Sequence, residues 1–448
     1  MRISVIGTGY VGLVSGVCFA EKGHEVVCVD NDQFKVDQIK KSISPIYEKG
    51  LDELLSLNIG GRLSASTDLY KAVHESDISI LAVGTPYDGD EIDLKYVREV
   101  SKQIGLALKE KDSYHTVIVK STVLPGTTDN QVLPLLEKFS NKKSGANFGV
   151  GMNPEFLREG EAISDFMYPD RIVLGAIDKR THDVMIELYD AFSDVDILLT
   201  NNKTAEMIKY TSNSLLATLI SFSNEIGNLS ASLGDIDAID VMNGVHLDKR
   251  ISPILEDNKR LFPSLISYLE PGCGYGGSCF PKDVKALIAH GKNNNQPMPL
   301  LKAVVNINDV QPYEMIDRLR KHYKNINKLK IAVLGLAFKP GTDDMRESPS
   351  IKIINNLLEE NAIINAYDPV AQDEAKKIFN NSNIHYCESV IETIYDADII
   401  MLLTRWPEFK DVPKILKDNN LNPLVIDGRR MIQKDSVSRY EGIGSVSY

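Results

Sequence analysis

The first 22 residues combine a strand, a glycine-rich turn and a helix. Arg2–Ile6 is a short apolar strand, Tyr10–Lys22 has a helical pattern, and the turn between them places Gly7, Gly9 and Gly12 in Gly-x-Gly-x-x-Gly spacing. The first glycine permits a tight turn, the second lets the backbone meet a pyrophosphate, and the third lets the helix pack on the strand. The segment predicts a dinucleotide site with the pyrophosphate at the helix N-terminus.

An acidic residue follows at the spacing that such a site requires. The second strand, Glu25–Val29, ends at Asp30, 18 residues beyond Gly12. A carboxylate there accepts hydrogen bonds from the adenosine ribose and repels a 2′-phosphate, and Asn31 and Asp32 offer no arginine to bind one. We therefore expect NAD rather than NADP. The alternative is a turn of this kind that has lost its ligand.

Strands and helices alternate in two separate parts of the chain, which is typical of parallel doubly wound sheets. Further strands are predicted at 78–83, 116–119, 147–152 and 171–174, and then at 330–335, 362–367, 398–403 and 424–426. Ser348 and Pro349 suit the start of a helix. The predicted fold class is α/β, with two Rossmann-like doubly wound domains joined by a long helix and a helical middle domain. The expected boundaries are 1–203, 204–311 and 312–448.

The helix predicted over Thr204–Leu233 has no strong breaker and would be about 45 Å long. That length suits a spine between domains or subunits rather than a helix on a domain surface. One adjoining domain would not cover all of its apolar residues, which include Leu215, Leu219, Phe222, Ile226 and Leu229. Pairing with a second copy would bury the rest, so a homodimer is expected.

Composition narrows the partners and the compartment. The 448 residues include 50 basic and 62 acidic side chains, for a net charge of −12, so neither a nucleic acid nor an anionic membrane is an expected partner. No apolar run reaches the roughly 18 residues of a membrane span, and the N-terminus does not resemble a signal peptide. The five cysteines are scattered without a Cys-x-x-Cys pair. We therefore expect no metal site and a reducing, cytoplasmic location.

A second glycine-rich segment surrounds one of these cysteines. From Gly274 to Asp283 the chain reads Gly-Tyr-Gly-Gly-Ser-Cys-Phe-Pro-Lys-Asp, with Cys279 followed by Lys282. Glycines allow close approach of backbone to a ligand, and a thiol beside basic groups ionises readily and becomes a nucleophile. The alternative is a glycine-rich turn around a buried cysteine.

Basic residues recur near the ends of the C-terminal strands, at Lys339, Arg346, Arg429 and Arg430. Ligands bind at the carboxyl ends of strands in such sheets. In an acidic protein these residues indicate a second phosphorylated ligand, with ordinary surface salt bridges as the alternative.

Together these motifs resemble the UDP-glucose 6-dehydrogenase family, within the wider nucleotide-sugar dehydrogenases, over nearly the whole chain. The matching segments are 7–12, Gly84-Thr85-Pro86, 120–123, 153–160, 209–213, the cysteine loop, 338–348, 406–409 and 427–429. The resemblance implies NAD-dependent oxidation of UDP-glucose at C6 to UDP-glucuronate. The change from alcohol to acid removes four electrons and so needs two NAD⁺.

The resemblance also implies roles for individual residues. Cys279 is the nucleophile that forms a thiohemiacetal and then a thioester. Lys209 and Asn213, one helical turn apart, act on the substrate oxygen, with a solvated helix face as the alternative. Asp283 orders the hydrolytic water and relays protons. Thr122 and Glu159 lie around that water, with Glu155 close by, and the alternative for the Glu155–Glu159 pair is a plain surface helix.

Ligand-binding residues are carried over in the same way. The expected cofactor-binding residues are Gly7, Gly9, Tyr10, Val11, Gly12, Asp30, Lys35, Thr85, Pro86, Thr122, Glu159, Lys282 and Arg346. The expected substrate-binding residues are Glu155, Phe156, Leu157, Lys209, Asn213, Arg250, Tyr268, Leu269, Gly272, Tyr275, Gly276, Phe338, Lys339 and Arg429. The residues from Lys330 onward would hold the UDP half of the substrate.

One segment departs from the family pattern. An arginine before the glycine loop usually reaches the neighbouring subunit's substrate site, but here residues 256–267 read as an insertion. Arg250 is favoured for that role over Arg260, and it implies a homodimer with a shared active site. The alternatives are a GDP-mannose 6-dehydrogenase or another nucleotide-sugar 6-dehydrogenase and, from other classes, a non-catalytic nucleotide-sugar-binding protein or a simple β-hydroxyacid dehydrogenase. Ser278, where dehydrogenases of N-acetylated sugars more often carry histidine, argues against those sugars.

Overall fold

A computed structural model describes residues 1–89 and 91–445 of the chain. The chain divides into two compact units, Met1–Ser212 and Asn213–Tyr448. A helix of 32 residues, Asn202–Leu233, begins in the first unit and continues into the second.

The first unit contains an eight-stranded sheet in the order β3-β2-β1-β4-β5-β6-β7-β8. All neighbouring strands are parallel except β6 and β7, which are antiparallel. The strands are β1 (Arg2–Ile6), β2 (Glu25–Val29), β3 (Leu63–Ser66), β4 (Ile78–Leu81), β5 (His115–Val119), β6 (Phe148–Met152), β7 (Arg171–Ala176) and β8 (Asp196–Thr200).

Helices cover both faces of this sheet. Alternate residues of β1 show this, because Ile3 and Val5 belong to one buried cluster and Ile6 belongs to the other. Besides the start of the long helix, the first unit has α1 (Tyr10–Glu21), α2 (Gln33–Lys40), α3 (Leu51–Asn58), α4 (Leu69–Glu75), α5 (Lys95–Lys109), a π-helix (Thr128–Val132) that runs into α6 (Leu133–Ser140), α7 (Ala162–Met167) and α8 (Lys179–Leu188).

The second unit is helical first and α/β afterwards. After the long helix, here α9, come α10 (Ala238–His246), α11 (Phe280–Asn293), α12 (Pro299–Val310) and α13 (Tyr313–His322), with a 3₁₀ turn at Ser264–Leu269. A six-stranded parallel sheet follows in the order β11-β10-β9-β12-β13-β14. Its strands are β9 (Lys330–Leu334), β10 (Ile363–Tyr367), β11 (Ile384–Tyr386), β12 (Ile399–Leu402), β13 (Leu424–Asp427) and β14 (Tyr440–Gly442). Its helices are α14 (Pro349–Glu359), α15 (Gln372–Ile378), α16 (Val390–Ile394) and α17 (Val412–Asp418), with 3₁₀ turns at Pro407–Asp411 and Lys434–Ser436.

The predicted fold class is confirmed, with Rossmann-like sheets at both ends and a helical middle. Ser348 is the N-cap of α14, as expected, and its hydroxyl accepts a hydrogen bond from the Ser350 N–H. The long helix begins two residues before its predicted start. The boundaries at 203/204 and 311/312 remain predictions. Within the described residues, no helix is both long and apolar enough to cross a membrane, and no group of three metal-binding side chains is found.

Candidate functional site

The glycine turn after β1 has the geometry that a dinucleotide needs. Gly7 has φ +98°, and a Cβ on it would lie 2.8 Å from the Ala82 carbonyl oxygen. A Cβ on Gly12 would lie 1.9 Å from the Gly7 carbonyl oxygen, so a side chain there would push α1 off the turn. At Gly9, which caps α1, an added Cβ would meet no atom within 4 Å. The turn is therefore closed on its protein side and open at Gly9, which fits NAD phosphates at the helix N-terminus.

Asp30 is held rigidly at the end of β2. Its Oδ2 accepts hydrogen bonds from the Thr8 N–H at 2.8 Å and the Thr8 hydroxyl at 2.6 Å, and its Oδ1 accepts one from the Asp32 N–H at 3.0 Å. Burial opposes its ionisation, but these bonds and the charge of Lys35 outweigh burial, and the pKa of Asp30 is lowered. Oδ1 keeps a lone pair for a ribose hydroxyl.

Three further residues expected at the cofactor follow neighbouring parallel strands of the same sheet, so they lie at its carboxyl edge. Thr85 and Pro86 follow β4, and Thr122 follows β5. The Thr85 hydroxyl donates to the Thr122 carbonyl oxygen at 2.8 Å. The Ser121 hydroxyl donates to the Val83 carbonyl oxygen at 2.7 Å. The two loops are thereby tied together.

Lys209 is buried and paired with a carboxylate of the same unit. Its Nζ lies 2.9 Å from Glu155 Oε1, and both side chains are about 95% buried. Burial opposes ionisation of Glu155, but the Lys209 charge and the hydrogen bond from the Leu157 N–H at 2.7 Å outweigh it, so its pKa is lowered. The alternatives of a solvated helix face and a plain surface helix are wrong here, because Lys209, Asn213 and Glu155 are buried and residues 153–158 are irregular backbone.

Lys120 is a second buried lysine near Glu155 and was given no role from the sequence. Its Nζ donates to Asn153 Oδ1 at 2.8 Å, and the Tyr189 hydroxyl donates to the same oxygen at 2.6 Å. Burial lowers the pKa of Lys120 to about 8, with Glu155 opposing the shift and Lys209 adding to it. The ion pair at Lys209 therefore lies in the field of a second ammonium.

In the second unit, Cys279 is the N-cap of α11 and is half-buried. The amide dipoles of a helix favour negative charge at its N-terminus, as a thiolate there would carry. The Ser278 hydroxyl oxygen lies 3.5 Å from the Cys279 sulfur. No disulfide joins any of the five cysteines, all of which fall within the described residues. Because Cys279 is only half-buried, the alternative of a glycine-rich turn around a buried cysteine is wrong.

Asp283 lies one turn further along α11 and is almost fully buried. Its Oδ2 accepts a hydrogen bond from Asn213 Nδ2 at 2.6 Å, and its Oδ1 lies 2.5 Å from Lys282 Nζ. The carboxylate thus fixes the orientation of the Asn213 amide. Of the residues expected to be catalytic, the structure brings Asn213 and Asp283 into direct contact.

The glycines of the cysteine loop are required by packing. A Cβ on Gly276 would lie 2.3 Å from the Glu347 carbonyl oxygen, and one on Gly277 would lie 2.7 Å from the Phe338 ring. The Gly277 N–H donates to the Arg346 carbonyl oxygen at 2.8 Å. The loop therefore lies directly against the segment after β9, where Phe338 and Lys339 were expected to bind substrate.

The basic residues after the C-terminal strands divide into two groups. Arg429 donates to the Leu403 and Gly274 carbonyl oxygens at 2.7 and 2.9 Å, which anchors the glycine loop and leaves further guanidinium N–H groups. Arg430 instead forms a largely buried ion pair with Asp237 at 2.7 Å. The expectation that Arg430 contributes charge to a second ligand is wrong, because that charge is already compensated inside the protein.

The two arginines near the insertion differ in their contacts. Arg260 Nη1 donates to the Leu247 and Ser252 carbonyl oxygens, which ties the insertion to its base. Arg250 is largely exposed and pairs with Asp248 in its own loop. Of the two, Arg250 is therefore the one whose side chain is not bound to the backbone at the base of the insertion.

The turn after β9 has the same backbone geometry as the turn after β1, but its carboxylate has no free acceptor for a ligand. Gly335 has φ +97° and donates to the Tyr367 carbonyl oxygen, as Gly7 does to Val29. Asp368, at the end of β10, stands where Asp30 stands, but it is buried and accepts five hydrogen bonds. The donors are the N–H groups of Leu336, Ala337, Val370 and Ala371 and the Trp406 indole. No acceptor capacity remains for a ribose, so this turn does not suit a second dinucleotide.

Comparisons with known proteins agree with this arrangement. Residues 1–193, 203–310 and 332–434 match the NAD binding, central and UDP binding domains of the UDP-glucose/GDP-mannose dehydrogenase family. A UDP-glucose 6-dehydrogenase of Bacillus subtilis is 41% identical over 97% of this chain and 94% of its own length. A GDP-mannose 6-dehydrogenase of Pseudomonas aeruginosa is 40% identical over 90% of this chain and 91% of its own. A UDP-glucose dehydrogenase structure from Pyrobaculum islandicum, 36% identical, superposes with a TM-score of 0.88 over 99% of this chain and 97% of that one.

The NAD binding domain confirms the expected cofactor, and the full-length similarity to curated dehydrogenases confirms that the chain is an enzyme. The protein belongs to the UDP-glucose/GDP-mannose dehydrogenase family.

Proposed function

We propose that the protein oxidises UDP-glucose at C6 to UDP-glucuronate, with Cys279 as the covalent catalyst. The observation that carries the proposal is Cys279 at the N-terminus of α11, partly accessible, with Asp283 one turn further along the same helix and bound there by Asn213 of α9. NAD⁺, when bound, would supply the hydride acceptor for each of the two oxidations. The four-electron change therefore yields two NADH for each sugar.

Lys209 serves the first oxidation. The C6 hydroxyl must lose a proton as its carbon loses a hydride, and a buried ammonium stabilises the developing oxyanion. Glu155 holds the Lys209 Nζ in place at 2.9 Å. The roles of Thr122 and Glu159 around the hydrolytic water rest on the resemblance to the family.

Cys279 carries the second oxidation. Its sulfur adds to the C6 aldehyde and the aldehyde oxygen takes up a proton, which gives a thiohemiacetal. The C6–H bond that the aldehyde already had then loses its hydride, while the hydroxyl loses its proton, and a thioester forms. The resulting thioester is hydrolysed by water, which returns the thiol and releases the carboxylate. Because the thiol must stay reduced, we place the enzyme in the cytoplasm.

Asp283 and Asn213 serve hydrolysis and charge stabilisation. The Asn213 amide, held by Asp283 at 2.6 Å, can donate its second N–H to the substrate oxygen. The buried carboxyl group of Asp283 can accept a proton from the attacking water.

UDP-glucose is favoured over GDP-mannose by the names of the relatives, most of which are UDP-glucose 6-dehydrogenases. The GDP-mannose enzyme at 40% identity keeps that sugar as the second candidate. NADH absorbance should be followed with UDP-glucose, GDP-mannose and UDP-N-acetylhexosamines. We expect two NADH per UDP-glucose and little turnover of the other sugars. Faster oxidation of GDP-mannose would overturn the proposed substrate.

We further propose a homodimer formed along α9. Leu215, Phe222 and Leu229 recur every seven residues on this helix, and each is about half exposed. A stripe of that period is the pattern by which two helices pair. Arg250 would then complete the substrate site of the partner subunit.

A further inference from the structure

Glu206 is a fully buried carboxylate that the proposed reaction does not use. It lies near the start of α9 and has no exposed surface. Its Oε2 accepts a hydrogen bond from the Gly126 N–H at 2.5 Å, and its Oε1 accepts one from the Thr128 N–H at 2.8 Å. One side chain thus binds two backbone amides of a single loop.

The Thr128 amide is the first of the helical segment that runs from Thr128 to Ser140, and the Gly126 amide lies just before that segment. The first N–H groups of a helix have no partner within it, and a carboxylate there also complements the helix dipole. Glu206 therefore caps this segment from a different helix. A second link joins the same elements, because Asn202 Nδ2 donates to Asp129 Oδ1 at 2.8 Å.

The loop that Glu206 holds is the loop that carries Thr122. At its near end the Ser121 hydroxyl is bound to Val83 O, and the Thr122 carbonyl oxygen is bound to Thr85. Residues 122–124 between these contacts and the turn at Pro125 and Gly126 form no regular structure. The far end of the loop is fixed by the two bonds to Glu206. Without them, the bond from Asn202 to Asp129 would still join α9 to the π-helix, but it lies beyond the loop.

We propose that Glu206 is a positioning residue that holds the loop 121–128 and thereby sets Thr122 at the cofactor. The inference rests on the proposed role of Thr122 in binding NAD. Glu206 and Lys209 stand three residues apart on α9, so a single rigid element places both the loop and the lysine.

The protonation state of Glu206 governs the strength of this contact. Burial raises the pKa of Glu206 to about 7, with Asp129 on the π-helix acting in the same direction. Lys203, on the same helix, lies beside Gly126. The ionised carboxylate accepts from both amides, whereas protonation turns one oxygen into a donor. The contact therefore weakens, and NAD affinity falls, as the pH drops from 8 to 6.

The test compares Glu206→Gln with Glu187→Gln, which makes the same change at an exposed position of α8. Hydrogen exchange of residues 121–128 and calorimetric titration with NAD⁺ are measured on full-length protein, with UDP titrated as the second ligand. We expect E206Q to exchange faster in this loop, to bind NAD⁺ about tenfold more weakly, to lose the pH dependence, and to bind UDP normally. E187Q should match the wild type.

Unchanged loop exchange, or faster exchange with unchanged NAD⁺ affinity, would overturn the proposal. If E206Q does not fold, Glu206→Asp keeps the charge but shortens the reach by one methylene, and it should shift both measurements in the same direction. Neither measurement requires turnover of UDP-glucose, so a failure of the proposed substrate would be seen separately.

Discussion

Cys279 is the residue on which the covalent route depends. In Cys279→Ser we expect net formation of the acid to fall by on the order of 10³-fold or more, because a serine hydroxyl without a dedicated base is a poor nucleophile. NAD⁺ binding should be unchanged. Steady-state NADH production with UDP-glucose measures the effect, and Cys387→Ser in the C-terminal sheet is the control. Wild-type turnover by C279S would refute the thioester.

We expect Asp30 to determine the choice of dinucleotide. Asp30→Ala should weaken NAD⁺ binding by about 1.5–3 kcal/mol, the worth of hydrogen bonds to a charged group. Discrimination against NADP⁺ should fall too, since the repelling carboxylate is gone. Fluorescence titration with both cofactors gives the two affinities, with the exposed Asp37→Ala as control. An unchanged ratio would mean that Asp30 does not face the ribose.

Lys120 should make the stability of the protein depend on pH. Its pKa of about 8 in the folded state lies below the ordinary value of 10.5. At neutral pH the burial of the Lys120 ammonium lowers the free energy of unfolding by about 3 kcal/mol. Between the two pKa values the unfolded chain binds more protons than the folded chain, so this destabilisation is relieved as the pH rises from 8 to 10.5. The increase in the free energy of unfolding that Lys120→Met gives over the wild type should therefore be smallest at high pH. Urea unfolding from pH 7 to 10 tests this, with the exposed Lys179→Met as reference, and a constant difference between K120M and wild type would contradict it.

At the scale of helices, Ser348 makes a prediction about caps. Its hydroxyl accepts from the Ser350 N–H at 3.3 Å and donates to the Leu336 carbonyl oxygen at 2.8 Å. Ser348→Ala should lower the free energy of unfolding by about 1–2 kcal/mol. The comparison variant is Ser389→Ala, which removes the cap of the five-residue α16. Thermal or urea unfolding of the two variants measures the effect of each cap. An unchanged free energy of unfolding in S348A would show that the contacts of the Ser348 Oγ contribute nothing to stability.

Elements with a local signature were predictable from the sequence. The β1 turn, the α14 cap and the long helix each follow from residues adjacent in the chain. The short strands Leu63–Ser66, Ile384–Tyr386 and Tyr440–Gly442 were missed, since their pairing depends on strands already in place. The antiparallel β6–β7 pair was missed for the same reason. Glu206 and Lys120 were not assigned a role from any sequence motif. Their shifted pKa values arise from burial by segments distant in the chain.

At the scale of the whole molecule, the dimer prediction concerns α9. Leu215→Asp combined with Phe222→Asp should weaken self-association at least about a hundredfold, because each apolar side chain is worth about 1.5–3 kcal/mol on burial and each occurs twice in a symmetric pair. Light scattering over a concentration series measures this. Leu57→Asp, at an apolar position of α3 that is more exposed than Leu215 or Phe222, is the control. A wild-type protein that is monomeric and fully active at assay concentration would contradict the dimer.

The carboxylate of Asp368, whose acceptor positions are all occupied, also limits the redesign of the C-terminal turn as a dinucleotide site. Converting the C-terminal turn into a second dinucleotide receptor would require displacing four backbone amides and an indole from one side chain. A replacement by proline removes a backbone N–H only at its own position, so no single replacement would free that acceptor. The two Rossmann-like sheets share a topology, but the turn after β9 cannot take over the ligand of the turn after β1. Transfer of the first turn's sequence to the second would also require a redesign of the loop that follows β10.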